Sequence, residues 1–342
     1  MTKPPVTIHD VARRAGVSPG TVSRATRGYE GLTAATRERV MRAVEELGYR
    51  PHPAAQRLSS GRSLTVAVTV PFFTLPSMSA RLSGAINLLA GTPYDLIIHN
   101  IQVPSERVAC FQQIPHRRQA DGLLIISISP LCDTEVAWLN QAEIPIVMID
   151  ADHPGLTNFR RVVVDDEEGG RLATRHLLEL GHRRIGFVGD HTDNPFHFTS
   201  TRDRLRGHLQ ALEAAGLPVR PDDRVQGEHC RAEARRLAGR LLASSDRPSA
   251  IFAASDTQAA GVLEAARDLG LRVPDQLSVI GFDDIELAEI VGLSTVRQPL
   301  FRSGQRGMQL LLDAVRGHPY PPGREVLPLE LVVRGTTGPP DA

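Results

Sequence analysis

Lysine is almost absent from this chain: Lys3 is the only one, so nearly every cationic side chain is arginine. Such a bias says more about coding-base composition than about function. Cysteine is as scarce. Cys110, Cys132 and Cys230 are odd in number, far apart and outside any Cys-x-x-Cys or Cys/His ligand pattern. A disulfide framework and a structural zinc site are therefore not expected, and a reducing compartment fits. No stretch approaches 18 apolar residues, and the N-terminal MTKPPVTIHD has no apolar signal core, so neither a membrane contact nor export is expected and the location should be cytoplasmic. Aromatic residues make up only 4% with a single Trp138, which gives no ground for assuming a sugar-stacking platform.

Catalytic signatures are missing as well. No Gly-x-Ser-x-Gly elbow, Walker loop or His-Glu-x-x-His occurs. GHRRIGFVG lacks the spacing of a dinucleotide-binding loop and reads as a helix-to-strand connection. The acid pairs Asp165–Asp166 and Asp283–Asp284 are adjacent, so their side chains diverge instead of flanking one scissile bond. His191 and His197 share a polar loop, where histidines are usually unliganded. No enzyme activity, metal or cofactor is expected.

What is present is a soluble globular composition, 342 residues with 41% hydrophobic and 23% charged, enough for two or three domains. Formal net charge is zero, but it is unevenly spread. Residues 1–62 hold 11 Lys/Arg against 5 Asp/Glu, a net of +6, which leaves −6 on the remainder. A basic head on an acidic body concentrates attraction for phosphates in the head.

That head contains VTIHDVARRAGVSPGTVSRATR (6–27), which reads as two short helices around a tight turn. Thr7 and Asp10 have the spacing of a capping box, and Ile8, Val11, Ala12 and Ala15 form one apolar face. Gly16 permits the turn; Ser18 and Pro19 read as the N-cap and first position of a second helix. Val22 and Ala25 face inward, leaving Gly20, Thr21, Ser23 and Arg24 outside, a small polar surface suited to a DNA major groove. Thr33 begins a third helix carrying Val40, Val44 and Leu47 and stopped by Gly48. Beyond it, Pro51 and Pro53 break the helix and Gly61 closes a segment in which 53–60 is long enough for only two marginal turns.

From Leu64 short apolar runs alternate with helical segments: LTVAVTV, YDLIIHN, DGLLIISI, IPIVMID, RVVVD, RRIGFVG, SAIFAAS and LSVIGFD read as strands. Helices fit at 77–90, 104–118, 167–180, 202–215, 231–244, 256–269 and 300–316. Near-continuous apolar strands separated by amphipathic helices indicate parallel sheets covered on both faces, and eight strands point to two doubly wound lobes. Ligands bind such sheets beyond the carboxyl ends of the strands, here marked by Phe72, Phe73, Asp150, Ser255, Asp256 and Asp283.

The helix-turn-helix segment resembles that of the LacI (lactose repressor-like) family, and the likeness runs collinearly from residue 6 to about 335. It is carried by VDDEEGGRLATRHLLELGHRRIGFVG, RLRGHLQALEAAGL, AASDTQAAGVLEAARDLGLRVPDQLSVIGFDD and LSTVRQP. The resemblance implies an α plus α/β architecture. A helix-turn-helix domain (1–50) and a hinge helix (51–63) would precede a two-lobed periplasmic-binding-protein-like core (64–338) of parallel sheets flanked by helices. Lobe one would hold about 64–164 and 296–322, and lobe two about 165–293 and 323–338. It implies operator contacts from Thr7, Ser18, Pro19, Gly20, Thr21, Ser23, Arg24, Arg27 and Thr33, with Gln56 and a minor-groove leucine, Leu58, in the hinge. The effector-binding arginine, three residues before a glycine, matches Arg204 and Gly207; the ligand-facing aspartate of the GFDD motif matches Asp283, with Phe72, Asp150 and Ser255 beside them. A surface ion pair is the other reading of Arg204, and turn chemistry that of Asp283. Pro19 and Gly20 carry little base-reading chemistry, and the loop after GFDD lacks the usual proline pair. The chain is thus expected to be a transcriptional regulator, a repressor before all, working as a homodimer on double-stranded DNA with a small polar effector. The ending LVVRGTTGPPDA has no leucine heptad, so a tetramer is not expected. The rival reading is a cytoplasmic sugar-binding protein or enzyme with an inert helical appendage.

Overall fold

Capping and turn residues set the three helices at the N-terminus: α1 (Ile8–Ala15), α2 (Pro19–Thr26) and α3 (Ala34–Leu47). The Asp10 carboxylate accepts from the Thr7 backbone N–H at 3.0 Å and from its hydroxyl at 2.7 Å, tying down the first turn of α1. Gly16 ends that helix at φ 67°, a left-handed backbone that glycine adopts without strain. The Ser18 hydroxyl accepts the Thr21 N–H at 3.2 Å, so α2 starts at Pro19, whose missing N–H is of no consequence at a first helical position. Thr33 caps α3 in the same way. Val11, Val22 and Val40, fully buried, meet Ala12, Ala15, Ala25 and Ala43 in one small core.

The structure is a computed structural model that describes residues 6–26, 31–49, 62–114, 119–130, 132–193, 196, 198–319 and 321–341. Arg27, Gln56, Leu58, His197 and the hinge residues 51–61 lie outside the described residues. The chain divides into two compact units, Met1–Ser63 and Leu64–Ala342.

The second unit contains two six-stranded sheets. The first is ordered β2-β1-β3-β4-β5-β11, from β1 (Thr65–Pro71), β2 (Asp95–Ile101), β3 (Gly122–Ile126), β4 (Ile146–Ile149), β5 (Arg160–Val163) and β11 (Gly323–Val326). The second is ordered β7-β6-β8-β9-β10-β12, from β6 (Ile185–Asp190), β7 (Arg224–Gly227), β8 (Ala250–Ala253), β9 (Ser278–Asp283), β10 (Ser294–Arg297) and β12 (Glu330–Val332). All pairings are parallel except β12, which runs antiparallel to β10. Alternate residues of the central strands fill opposite faces. Val66, Val68, Leu124 and Ile126 join helices Pro76–Asn87 and Leu300–Val315, while Ala67, Leu123, Ile125 and Met148 pack with Phe111 and Leu139 on the other side.

Sheet pairing corrects the expected lobe boundaries. β10 belongs to lobe two, extending it to Arg297, and β11 belongs to lobe one, paired with β5 from Gly323↔Arg160 to Val326↔Val163. Both are short, and β11 (GREV) has no apolar run, so hydrophobic patterning does not reveal them. β7 and β12, edge strands of three or four residues, escape for the same reason. The helix expected at 104–118 is a single turn, Glu106–Val108, continued as a π-helix over Ala109–Gln113, and Asp133–Asn140 is a helix the pattern did not flag.

Candidate functional site

On the first unit, α2 turns Val22 and Ala25 inward and leaves Gly20 and Arg24 exposed, with Thr21 and Ser23 half-buried. Ser18 and Thr21 share a hydroxyl hydrogen bond at 3.0 Å, and Thr33 shares one with Thr36 at 2.9 Å. The Arg24 Nε donates to the Gly20 carbonyl at 3.4 Å, so the guanidinium lies along the helix with both terminal nitrogens unpaired among the described residues. That fork matches the acceptor pair a guanine offers in the major groove.

The second unit contains a cleft of ≈ 750 Å³, open mouth included, between its lobes. Its wall is built as the carboxyl-end rule requires. Phe72 follows β1, Ser127 and Ser129 follow β3, Asp150 follows β4, Asp190 ends β6, Ser255 follows β8 and Asp283 ends β9. The expected residues Phe72, Asp150, Arg204, Ser255 and Asp283 all line it. Phe73 is 40% exposed and does not, and Asp256 lies fully buried behind it.

The backbone at the cleft is strained. Phe72 (φ 43°), Ser127 (φ 55°), Asp150 (φ 53°) and Asp283 (φ 114°) hold positive φ without being glycine. Each such residue costs on the order of 1–3 kcal/mol, and such costs cluster where side chains must be aimed at a ligand. At the GFDD motif the strain separates the two acids. Asp283 faces the cleft, while Asp284 turns away to pair with Arg297 and Arg334 at 2.6 and 2.7 Å. Asp256 holds that turn, accepting the Ile285 N–H at 2.9 Å and the Thr295 hydroxyl at 2.6 Å. Burial, with the neighbouring Asp283 charge, pushes the Asp256 carboxyl up to about 8.

Charges in the cleft are paired. Arg204, 5% exposed, donates from Nε to Asp166 at 2.7 Å and from Nη1 to the Ala254 carbonyl at 2.6 Å; Nη1 also lies 3.7 Å from Asp283. Its guanidinium sits 3.7 Å from the centre of the Phe282 ring. Burial lifts the Asp166 carboxyl to about 6 despite Arg204, and burial also raises Asp283. In lobe one Arg81, 3% exposed, meets Asp150 and the Gln298 side-chain oxygen Oε1, each at 3.0 Å, and the Ser127 hydroxyl donates to Asp150 at 2.7 Å. Gln298 in turn donates to Asp283, so one polar chain runs from lobe to lobe. His229 lies 2.9 Å from Asp190, whose other partners are Gln258 and Thr201; burial opposes the imidazolium charge, but the Asp190 contact outweighs it and raises the pKa.

Arg81, Ser127, Asp190, Phe198, His229 and Gln298 are cleft residues that sequence reasoning missed. Asp190 could have been found by extending the RRIGFVG strand one residue, and Arg81 as the only charge in PSMSARLSGAIN. The aromatic residues are few but gathered. Phe72 meets Phe196 edge-on at 5.0 Å, Phe196 stacks on Phe198 at 5.6 Å, and Phe72 and Phe198 both face the cleft. Trp138 packs against lobe one's core instead. Among the described residues no group of His, Cys, Asp and Glu is placed to hold a metal ion, and no helix is long and apolar enough to cross a membrane.

Comparison with known proteins matches residues 7–52 to the bacterial regulatory proteins of the lacI family and 174–337 to a periplasmic binding protein-like domain. The chain is 32% identical over 334 residues to the HTH-type transcriptional repressor CytR of Escherichia coli (strain K12), covering 97% of this chain and 96% of the relative. Its fold matches the lac repressor dimer bound to operator and the anti-inducer ONPF with a TM-score of 0.84 at 29% identity, over 98% of this chain and 99% of that one. It also matches a transcriptional regulator CelR–cellobiose complex at TM-score 0.71 and 30% identity, over 97% and 99%.

Proposed function

The chain belongs to the lacI family of bacterial regulatory proteins and is a DNA-binding transcriptional regulator, and from that premise we propose a repressor that acts as a homodimer and answers to a small polar effector in the interlobe cleft. Residues 1–50 form the DNA-binding domain, 51–63 the hinge, and the remainder to about 338 the effector-binding and dimerising core. Effector and operator favour different arrangements of the lobes, so each alters the affinity for the other. The chain works in the cytoplasm as a regulator without catalysis, its cofactor role taken by the effector.

One observation carries the effector reading: five residues widely separated in sequence, Phe72, Asp150, Arg204, Ser255 and Asp283, share one strained, charge-lined cleft. The relatives support the pairing of a DNA head with a liganded core, since the lac repressor match holds operator and ONPF and the CelR match holds cellobiose.

On the DNA side, Arg24 reads a base, with Ser18, Pro19, Gly20, Thr21 and Ser23 around it and Thr7, Arg27 and Thr33 on the backbone. Gln56 and Leu58 engage the minor groove from the hinge. Selecting operators from random duplexes and titrating Arg24→Ala tests this. A loss of about 1–3 kcal/mol with relaxed preference at one base pair is expected. Uniform loss on every duplex would make Arg24 a phosphate contact, and the absence of salt-dependent DNA binding by the intact chain would favour the rival sugar-binding protein.

A further inference from the structure

The two lobes repeat one device. Arg81-Leu-Ser-Gly84 lies on the helix after β1, and Arg204-Leu-Arg-Gly207 on the helix after β6. In each lobe this helix crosses, at glycine contact distance, the helix that enters from the other lobe. A Cβ on Gly84 would stand 1.9 Å from the Phe301 carbonyl oxygen, and one on Gly304 1.8 Å from that of Arg81. A Cβ on Gly207 would stand 1.9 Å from the Glu167 carbonyl oxygen, and one on Gly170 2.1 Å from that of Arg204. By these contacts the crossings correspond residue for residue: Arg81 stands for Arg204, Phe301 for Glu167 and Gly304 for Gly170. One position before Phe301 is Leu300; one before Glu167 is Asp166. Lobe one therefore has a leucine where lobe two has the carboxylate that binds the Arg204 Nε. The consequence is visible at Arg81, whose Nε is a buried donor with no hydrogen-bond partner among the described residues. Of the four such buried atoms, it alone belongs to a residue lining the cleft. A buried N–H without an acceptor is destabilising, a cost that a ligand acceptor would relieve.

The charge balance restricts what that ligand is. Arg81 lies against Asp150 at 3.0 Å, Arg204 against Asp166 at 2.7 Å and His229 against Asp190 at 2.9 Å, while Asp283 adds a further carboxylate. No cation in the cleft lacks a carboxylate, so an anionic group would enter an acidic enclosure and find only cations already paired. A neutral oxygen meets the open donor without that penalty, and hydroxyl or amide donors on the same ligand suit the carboxylates.

Resting on the reading of the cleft as the effector site, we infer that Arg81 is the lobe-one counterpart of Arg204, that its Nε–H binds an oxygen acceptor of the effector, and that the effector is uncharged. Phosphorylated metabolites are excluded from the cleft. Calorimetric titration of the full chain with matched pairs tests this: ribose and ribose 5-phosphate, glucose and glucose 6-phosphate, adenosine and adenosine 5′-monophosphate. At least one neutral member should bind, at least tenfold more tightly than its phosphorylated partner. Arg81→Leu should lose at least tenfold of that affinity. Because that variant leaves Asp150 less well paired and can fail to fold, Arg81→Lys is the second: it keeps the charge but not the Nε donor, and should also lose at least tenfold, with its melting temperature confirming the fold. A phosphorylated member binding as tightly as its partner, or Arg81→Lys binding like the parent, overturns the inference and leaves the cleft reading standing. Binding indifferent to Asp283→Asn as well, or no binding by any member of either series, overturns both.

Discussion

Arg204 and Arg81 occupy matching places in the two lobes and do different work. Arg204 is a strut: its Nε and Nη1 are taken up by Asp166 and Ala254, its face by Phe282, and it anchors the wall from which Asp283 emerges. Arg81 is held through its terminal nitrogens, Nη2 by Asp150 and Gln298 and Nη1 by the Ser77 carbonyl at 3.5 Å, and keeps its Nε donor open. The helix crossings behind them are alike to within a few tenths of an ångström in their glycine contacts. A repeated backbone thus fixes where a guanidinium stands, and one residue on the facing helix, Asp166 or Leu300, decides whether its Nε is paired within the protein or left to read a ligand.

Removing each arginine separates these roles. Arg204→Ala strands Asp166 and Asp283 in a buried site and should lower the unfolding free energy by about 3–5 kcal/mol in urea titration. Arg81→Ala leaves Asp150 its Ser127 hydrogen bond and should lose less, about 1–3 kcal/mol. Equal losses would erase the distinction between strut and reader. Asp283→Asn is therefore the better probe of effector sensing than Arg204→Ala, since it keeps the polar contact and spares the fold.

Lobe two also holds groups that respond to acid in opposite directions. His208 is buried beside Thr174, and burial, with Arg224 nearby, lowers its pKa to about 3. Burial lowers His176 and His182 in the same direction, and all three belong to lobe two. A histidine whose folded pKa lies below its unfolded value is protonated first in the unfolded chain, so stability falls as pH drops from about 6.5 towards the folded value. For His208 alone the slope approaches about 1.4 kcal/mol per pH unit inside that window. Urea titration at pH 7, 5.5 and 4 should show the stability of His208→Gln rising relative to the parent as pH falls, while the raised carboxyls of Asp166, Asp256 and Asp283, which act in the opposite direction, are common to both chains. A difference between the two chains that does not change with pH would contradict a neutral, buried His208.

Leu300→Asp is the smallest and most pointed change, since it gives Arg81 the carboxylate that Arg204 has. Ligand affinity should fall by about tenfold, roughly 1.4 kcal/mol. Affinity that stays at the parent value would mean that the Arg81 donor is not used.

Much of this molecule was legible before its structure. The capped helices of the first unit follow from Thr7, Gly16, Ser18, Thr33 and Gly48, because caps and turns are local chemistry. The buried parallel strands follow from apolar runs, and the carboxyl-end rule finds Phe72, Asp150, Ser255 and Asp283. Arg204 came from resemblance, since nothing local separates it from a surface arginine. Arg81 stayed hidden because its burial depends on helix 300–315, more than 200 residues further along the chain. His229 sits on a short loop after an edge strand with no apolar signal, and the Phe72–Phe196–Phe198 cluster gathers residues from both lobes that composition alone makes look sparse.

The most direct measurement is reciprocal linkage in the intact protein: the affinity of the neutral ligand with and without saturating operator, and that of the operator with and without saturating ligand. The two ratios should agree and should lie in the range of about 5- to 150-fold expected for coupled sites. Ratios of one in both directions, with the ligand bound in the cleft, would show that cleft and operator do not communicate and would contradict regulation by an effector.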